Sequence, residues 1–131
     1  MKKTVHVVGA IMENDKGEIF CAKRSETMTL PNYWEFPGGK LEPEETKEEA
    51  LAREIKEELG CEIQVGQQVE DTTYDYDSFI VRLETFKAKI IEGQPMLVEH
   101  ADAKWLPKEK LHQLNWAPAD IPAVKRLQEG Y

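Results

Sequence analysis

The chain has 131 residues, 40% of them apolar and 32% charged, a size and composition that fit one globular domain over residues 1–131 and exclude a disordered polymer. Its 25 acidic and 17 basic residues leave a formal charge of -8, which excludes unaided binding to nucleic-acid backbone or an anionic membrane. A phosphorylated substrate would need local cations to approach.

The N-terminus, "MKKTVHVVGAIMENDKGE", has two lysines ahead of an apolar run, as a signal peptide does. The run is short and ends in charge without a small-residue cleavage site, so a first strand is the better reading. "TVHVVGAIM" (Thr4 to Met12) and "EIFCAKR" (Glu18 to Arg24) are β-rich, and the turn residues of "ENDKG" between them predict a hairpin. "SETMTLPNYWEFPGG" follows as an irregular connection, because Pro31, Pro37 and the Gly38-Gly39 pair rule out a long helix. A helix is predicted from just after Thr46 to Gly60. "CEIQVGQQVEDTTYDY" and "DSFIVRLETFKAKII" predict two long antiparallel strands, "AKWL" a short one, and "PADIPAVKRLQEG" a helix starting near Pro118. Cys21 and Cys61 have no metal-ligand spacing and suit small apolar core positions. No apolar stretch approaches the roughly 20 residues needed to span a bilayer, which makes the cytoplasm the expected location.

The central helix carries the first sign of chemistry. Thr46 followed by Glu49 is a capping-box pattern, and Gly60 is placed to end the helix. Leu51, Ile55 and Leu59, flanked by Ala52, form one apolar stripe at about 100° per residue. Glu54, Glu57 and Glu58 share an arc bordering that stripe, although like charges at these spacings cost a helix roughly 0.2 to 0.5 kcal/mol per pair. Taken alone, an acidic arc reads as a solvated face, helped by Lys47 and Lys56. Two details favour another use. Arg53 stands four residues after Glu49 and four before Glu57, where it can bridge both, and half-buried carboxylates gain protons unless a cation intervenes. A hard divalent cation such as Mg²⁺, with Mn²⁺ as a substitute, accepts carboxylate oxygens and binds phosphates as well.

Gly39, Glu45, Arg53, Glu54, Ile55, Glu57, Glu58, Gly60 and Cys61 together resemble the Nudix box of MutT-like hydrolases: glycine, five residues, glutamate, seven residues, then Arg-Glu-hydrophobic-any-Glu-Glu-any-Gly-hydrophobic. Cys61 stands where an aliphatic residue is usual. "WEFPGGK", "AKR" ending in Arg24 and "EHADAKW" starting at Glu99 extend the similarity over nearly the whole chain. The resemblance implies the α+β Nudix fold, a mixed β-sheet between helices with the box as a loop-helix-loop. It also implies that Glu54, Glu57, Glu58 and the Gly39 carbonyl ligate Mg²⁺, that Arg53 holds a carboxylate in place, and that Glu99 reaches the metal. Glu54 and Glu99 are then alternative general bases. The histidines, His6, His100 and His112, are expected to be structural or solvent-facing.

The implied reaction is Mg²⁺-dependent hydrolysis of a nucleoside diphosphate linked to another group, with Arg24 and Lys40 assisting the phosphates. A Walker motif around Gly39-Lys40 is excluded by the missing earlier glycine and hydroxyl residue. "NWAPADIPAV" (Asn115 to Val124) is similar to the subgroup acting on CTP, modified dCTP or 8-oxo-dGTP. Asp120, read as an ionised acceptor, suits base edges that present donors, and it suits a helix first turn equally. Trp34, Phe36 and Trp116 are candidate base platforms or core residues. An ADP-ribose or dinucleoside polyphosphate hydrolase and a non-catalytic nucleotide sensor are the alternatives. A monomer and a homodimer both remain open.

Overall fold

The computed structural model describes residues 2–130. The elements are β1 (Thr4–Met12), β2 (Glu18–Lys23), β3 (Trp34–Glu35), β4 (Gly38–Lys40), α1 (Lys47–Leu59), β5 (Glu62–Asp75), β6 (Ile80–Glu92), β7 (Asp102–Pro107) and α2 (Ile121–Gln128). Short 3-10 turns occupy Lys108–Gln113 and Pro118–Asp120. One sheet has the order β4-β1-β6-β5 and the other β3-β2-β7. Among the described residues no helix is long and apolar enough to cross a membrane.

The predicted hairpin of β1 and β2 is only half there. The turn forms, with the Asn14 amide donating to the Glu18 carbonyl at 3.0 Å and Gly17 at a φ of 76°. A single bridge, Glu13 to Ile19, then joins the two segments before they part into different sheets. β1 runs parallel to β6 and antiparallel to β4, whereas β2 pairs with β3 and β7. The cause lies in their side chains. Val8, Ala10 and Met12 of β1 and Phe20 and Ala22 of β2 enter one core, while Ile11, Ile19 and Cys21 enter a second. Strands buried on both faces read as continuous apolar runs and need neighbours on both edges, which a mutual hairpin would not supply.

The two cores each have a helix. Leu51, Ile55 and Leu59 of α1 are fully buried in the first, together with Ala50, Phe86 and Ile63, and burying each large aliphatic side chain contributes roughly 1.5 to 3 kcal/mol. Val124 and Leu127 of α2 join Trp34, Trp116 and Leu111 in the second. The mixed sheet structure thus lies between α1 and α2. Both cysteines are buried and free, and burial pushes the Cys21 thiol up to about 12.

The connection read as irregular contains two short strands. Positive φ values at Leu30 (52°) and Asn32 (67°) turn the chain into β3, and β4 then lies so close to β1 that a Cβ on Gly38 would stand 1.9 Å from the Val8 carbonyl oxygen. Only glycine allows that approach. The β5 and β6 strands pair antiparallel as expected, with register shifts between Val65 and Gln68 and between Gln68 and Glu70.

Candidate active site

The helix that bears the acids starts as its local sequence dictates. Thr46 Oγ1 accepts the Glu49 amide at 3.1 Å, the Glu49 carboxylate accepts the Thr46 amide at 2.9 Å, and Gly60 closes the helix at a φ of 70°. That reciprocal cap corrects one expectation. Glu49 is used by the helix end and makes no bridge to Arg53. Arg53 instead reaches back before the helix, giving Nε to Glu45 Oε2 at 2.8 Å and Nη2 to Glu45 Oε1 at 2.9 Å in a two-pronged pair. Its Nη1 donates to Glu54 at 2.9 Å and to Glu57 at 3.4 Å, and Nη2 also holds the Lys40 carbonyl at 3.2 Å. One guanidinium therefore ties β4, the loop after it and α1 together. It holds the Glu45 carboxyl below the usual carboxylate range, chiefly by hydrogen bonding.

Gly39, Lys40, Glu42, Glu54, Glu57, Glu58, Val98 and Glu99 line one cleft of about 420 Å³. Every residue expected at a metal is therefore in one place. Gly39 lies so close under Glu54 that a Cβ there would sit 2.2 Å from its carboxylate oxygen. Desolvation raises the Glu54 carboxyl despite the opposing Arg53 bond. Glu58 is more strongly affected: burial first, then the charges of Glu35, Glu54 and Glu99, push it up to about 8. Its Oε1 is buried without a hydrogen-bond partner among the described residues. An orphaned carboxylate oxygen facing other acids is a costly arrangement that a cation would relieve. The donors are all oxygen, as hard divalent cations require. No three of these side chains are drawn into a closed coordination shell, since Glu54 is turned onto Arg53 and Glu57 is 60% exposed. The acids fit a divalent cation as wall residues of an open cleft.

Gly39, Lys40 and Glu58 also line a second cleft of about 430 Å³, so the two hollows adjoin. Its walls include Val5, Val7, Val81, Leu83, Phe36, Tyr76 and Phe79, and besides Lys40 and Glu58 its ionisable groups are Arg24, Glu35 and Asp120. The sequence reading missed Tyr76 and Phe79, which stack with centroids 5.5 Å apart beside the β5-β6 turn. Nothing local marks them. Asp120 arrives through backbone pairing: the Trp34 amide donates to the Asn115 carbonyl and the Trp34 carbonyl accepts the Ala117 amide, both at 2.9 Å, and the Tyr76 hydroxyl accepts the Ala119 amide at 2.8 Å.

Asp120 itself changes character. It makes no side-chain cap on α2, and its Oδ1 accepts the Phe36 amide at 3.1 Å across 84 positions. It is 5% exposed, and burial, reinforced by the charge of Glu35, raises its carboxyl well above the usual aspartate range. Burial thus favours the neutral form over the ionised acceptor expected from the sequence, and a neutral carboxyl both donates and accepts. Phe36 lines the apolar cleft and packs on Trp116 with centroids 4.7 Å apart. Trp34 belongs to the core, 7% exposed and outside both clefts, with Lys104 Nζ 5.6 Å from its ring. Lys40 is exposed where the clefts meet. Arg24 gives Nη1 to Glu35 at 2.8 Å and Nη2 to Thr29 Oγ1 at 2.9 Å. Glu35 was not foreseen, and neither was its bond to His100.

A larger hollow of about 840 Å³, between the β1-β2 turn, β5, β6 and Trp105, holds none of these residues.

The sequence matches the NUDIX domain family over residues 3–127. It is 37% identical over 123 residues to the CTP pyrophosphohydrolase of Escherichia coli K12, covering 94% of this chain and 90% of that protein. It is 33% identical over 128 residues to the 8-oxo-dGTP diphosphatase of the same strain, with 98% of each chain covered. The solution NMR structure of DNA mismatch repair protein MutT, a Nudix hydrolase from methicillin-resistant Staphylococcus aureus 252, superposes with a TM-score of 0.79 at 53% identity, covering 99% of this chain and 100% of that one. The α+β architecture, the complete box on α1 and the extent of these matches establish that the chain belongs to the Nudix family of hydrolases.

Proposed function

We propose that the chain, acting as one Nudix domain, is a Mg²⁺-dependent nucleoside triphosphate pyrophosphohydrolase. Its substrates are (d)NTPs such as CTP, modified dCTP or 8-oxo-dGTP, cleaved to nucleoside monophosphate and pyrophosphate in sanitation of the cytoplasmic nucleotide pool. The observation that carries this reading is the adjacency of the clefts: an apolar hollow that includes Asp120 shares Gly39, Lys40 and Glu58 with the acidic one. Base and polyphosphate need these two environments side by side. The named activities of the Escherichia coli relatives support the same division.

Burial that favours a neutral Asp120 narrows the base. Cytosine presents its amino donor beside the N3 acceptor, and guanine or its 8-oxo form presents the N1 hydrogen beside O6. A protonated carboxyl complements either pair with one hydrogen bond in each direction. Phe36 and the Tyr76-Phe79 stack would flank the ring.

Glu54, Glu57, Glu58, Glu99 and the Gly39 carbonyl would hold Mg²⁺, or Mn²⁺ in its stead. When bound, such a cation neutralises phosphate oxygens and lowers the pKa of a coordinated water. Lys40, exposed at the junction, supplies a further positive charge to an otherwise acidic molecule, and Arg24 closes the side wall near Glu58. Water attacks the β-phosphorus in line with the α,β-bridging oxygen, which leaves with the nucleoside monophosphate. Glu54 and Glu99 are the two candidates to accept the water's proton. Arg53 keeps Glu54 over Gly39 and fixes the loop bearing the Lys40 carbonyl. Arg53→Lys preserves the charge and loses the two-pronged hold on Glu45, so kcat is expected to fall about 10- to 100-fold, as measured by steady-state kinetics at saturating Mg²⁺.

The direct test is incubation of the purified protein with CTP, 5-substituted dCTP, 8-oxo-dGTP, ADP-ribose and a dinucleoside polyphosphate, with Mg²⁺ or a chelator. Pyrophosphate release from one of the triphosphates, abolished by the chelator, is the expected result. Turnover restricted to ADP-ribose or the dinucleotide would replace the reading with the corresponding hydrolase. Binding without turnover of anything would make the chain a sensor.

A further inference from the structure

The segment that carries Glu99 is open to solvent, with Met96 70% and Val98 69% exposed. The next residue is the opposite: the His100 side chain is 0% exposed. Its Nε2 lies 2.8 Å from Glu35 Oε2, a bond that requires the proton on Nε2. Its Nδ1 is buried without a partner among the described residues. An apolar side chain would fill that space without stranding a nitrogen, so packing alone does not account for an imidazole here.

The partner of His100 is rigid. Glu35 belongs to β3, registers with Ala22 of β2, and accepts Arg24 Nη1 at its other oxygen at 2.8 Å. The backbone is fastened on both sides as well. The Ala101 amide donates to the Lys23 carbonyl at 2.9 Å, and the Met96 amide to the Leu59 carbonyl at the end of α1 at 2.8 Å. Between these anchors Glu99 faces the acids of α1 across one cleft. A line of contacts thus runs from Arg24, in the wall of the apolar cleft, through Glu35 and His100 to the backbone of Glu99.

We propose that His100 and Glu35 are positioning residues, a brace that sets Glu99 against the acidic wall of α1 for cation binding. The proposal rests on the reading that Glu99 is a cation ligand. Neither residue lines the acidic cleft itself. Removing the brace leaves Glu99 present but loosely held on an exposed segment, and groups that orient a ligand in this way typically govern metal affinity by 10- to 100-fold.

The test uses the full chain as parent, H100A, H100Q, E99Q and the H100A/E99Q double variant. Mn²⁺ binding is followed by electron paramagnetic resonance, with kcat and KM for the preferred triphosphate measured beside it. H100A is expected to weaken Mn²⁺ binding by about 10-fold or more and to lower kcat, with the nucleotide KM unchanged within about twofold. H100Q, whose amide can donate to Glu35, recovers most of the loss. On the E99Q background, H100A adds less than about twofold, because its effect passes through Glu99. Losses that multiply in the double variant, or an H100A protein binding Mn²⁺ as the parent does, would overturn the brace while leaving Glu99 as a ligand. An E99Q protein indistinguishable from the parent would instead remove Glu99 from the cation site, and the proposal with it. Should H100A lose its cooperative thermal transition, H100L replaces it; that variant fills the space and removes the same bond, and the same comparison with E99Q decides.

Discussion

Glu58→Gln is expected to give a protein that is inactive yet, without metal, more resistant to heat than the parent above pH 8. In the folded chain Glu58 is pushed up to about 8 by burial and by the charges of Glu35, Glu54 and Glu99, against an ordinary value of 4.5. Between those two values the native protein holds a proton that the unfolded chain does not. Stability therefore falls as pH rises from about 4.5 to about 8, and the full penalty persists above that. Glutamine is neutral throughout and nearly the same size. The metal-free variant and parent should melt together near pH 4.5 and diverge as pH rises, by roughly 4 °C for each kcal/mol relieved in a chain of this length. Mg²⁺ reverses the order. It binds the ionised carboxylates of the parent and raises its Tm in proportion to the logarithm of its concentration over Kd, and it does little for the variant. Turnover should fall by about 10³-fold, in line with loss of a group that stabilises transition-state charge. Calorimetric melts at pH 5 and pH 9 with and without Mg²⁺ check both halves. Coincident melts at every pH would mean that Glu58 is not the carboxylate carrying the burial penalty.

That expectation grows from a feature partly legible in the sequence. The arc of Glu54, Glu57 and Glu58 against the stripe of Leu51, Ile55 and Leu59 follows from helix periodicity, and the half-burial of Glu54 and Glu58 follows from the arc. Local rules also foretold the capping box and the left-handed Gly60. They misled at Arg53, because Glu49 satisfies the helix end and Glu45, which precedes the cap, lies outside any helical spacing. They misled again at β1, whose parallel partner β6 lies more than seventy positions away in register, Thr4 opposite Ile80. A turn signal shows where the chain reverses and says nothing of which edge each strand will take. The brace of Glu35 and His100 spans 65 positions and leaves no local trace. Asp120 is the sharpest case. Its place in the sequence suited the first turn of a helix, and its actual partner, the Phe36 amide, becomes visible only once β3 and the segment after Trp116 lie together.

The second large effect is expected at that aspartate, with a sign that separates a neutral carboxyl from an ionised one. Burial raises Asp120 well above the usual aspartate range, the charge of Glu35 adds to this, and the Phe36 amide and Arg24 only partly oppose it. The proton can then be donated to cytosine N3 or guanine O6 while an oxygen accepts the adjacent base hydrogen. Deprotonation as pH rises through that raised value would turn a donor into a repelling acceptor, so affinity for the preferred nucleoside monophosphate should drop with rising pH. Measuring that binding without metal and on the Glu58→Gln background keeps the titration of Glu58, which lines the same cleft, out of the readout. Asp120→Asn retains one donor and one acceptor at all pH values, and should bind within about 10-fold of the parent at neutral pH with that drop removed. Asp120→Ala loses both contacts and strands the buried Phe36 amide. It should weaken kcat/KM for the preferred triphosphate by about 100-fold, and removing the partner of a buried amide costs about 1 to 3 kcal/mol of stability. If Asp120→Asn instead abolishes binding while the parent tightens with rising pH, the carboxylate is ionised in the complex, and a base edge presenting only donors is the one it reads.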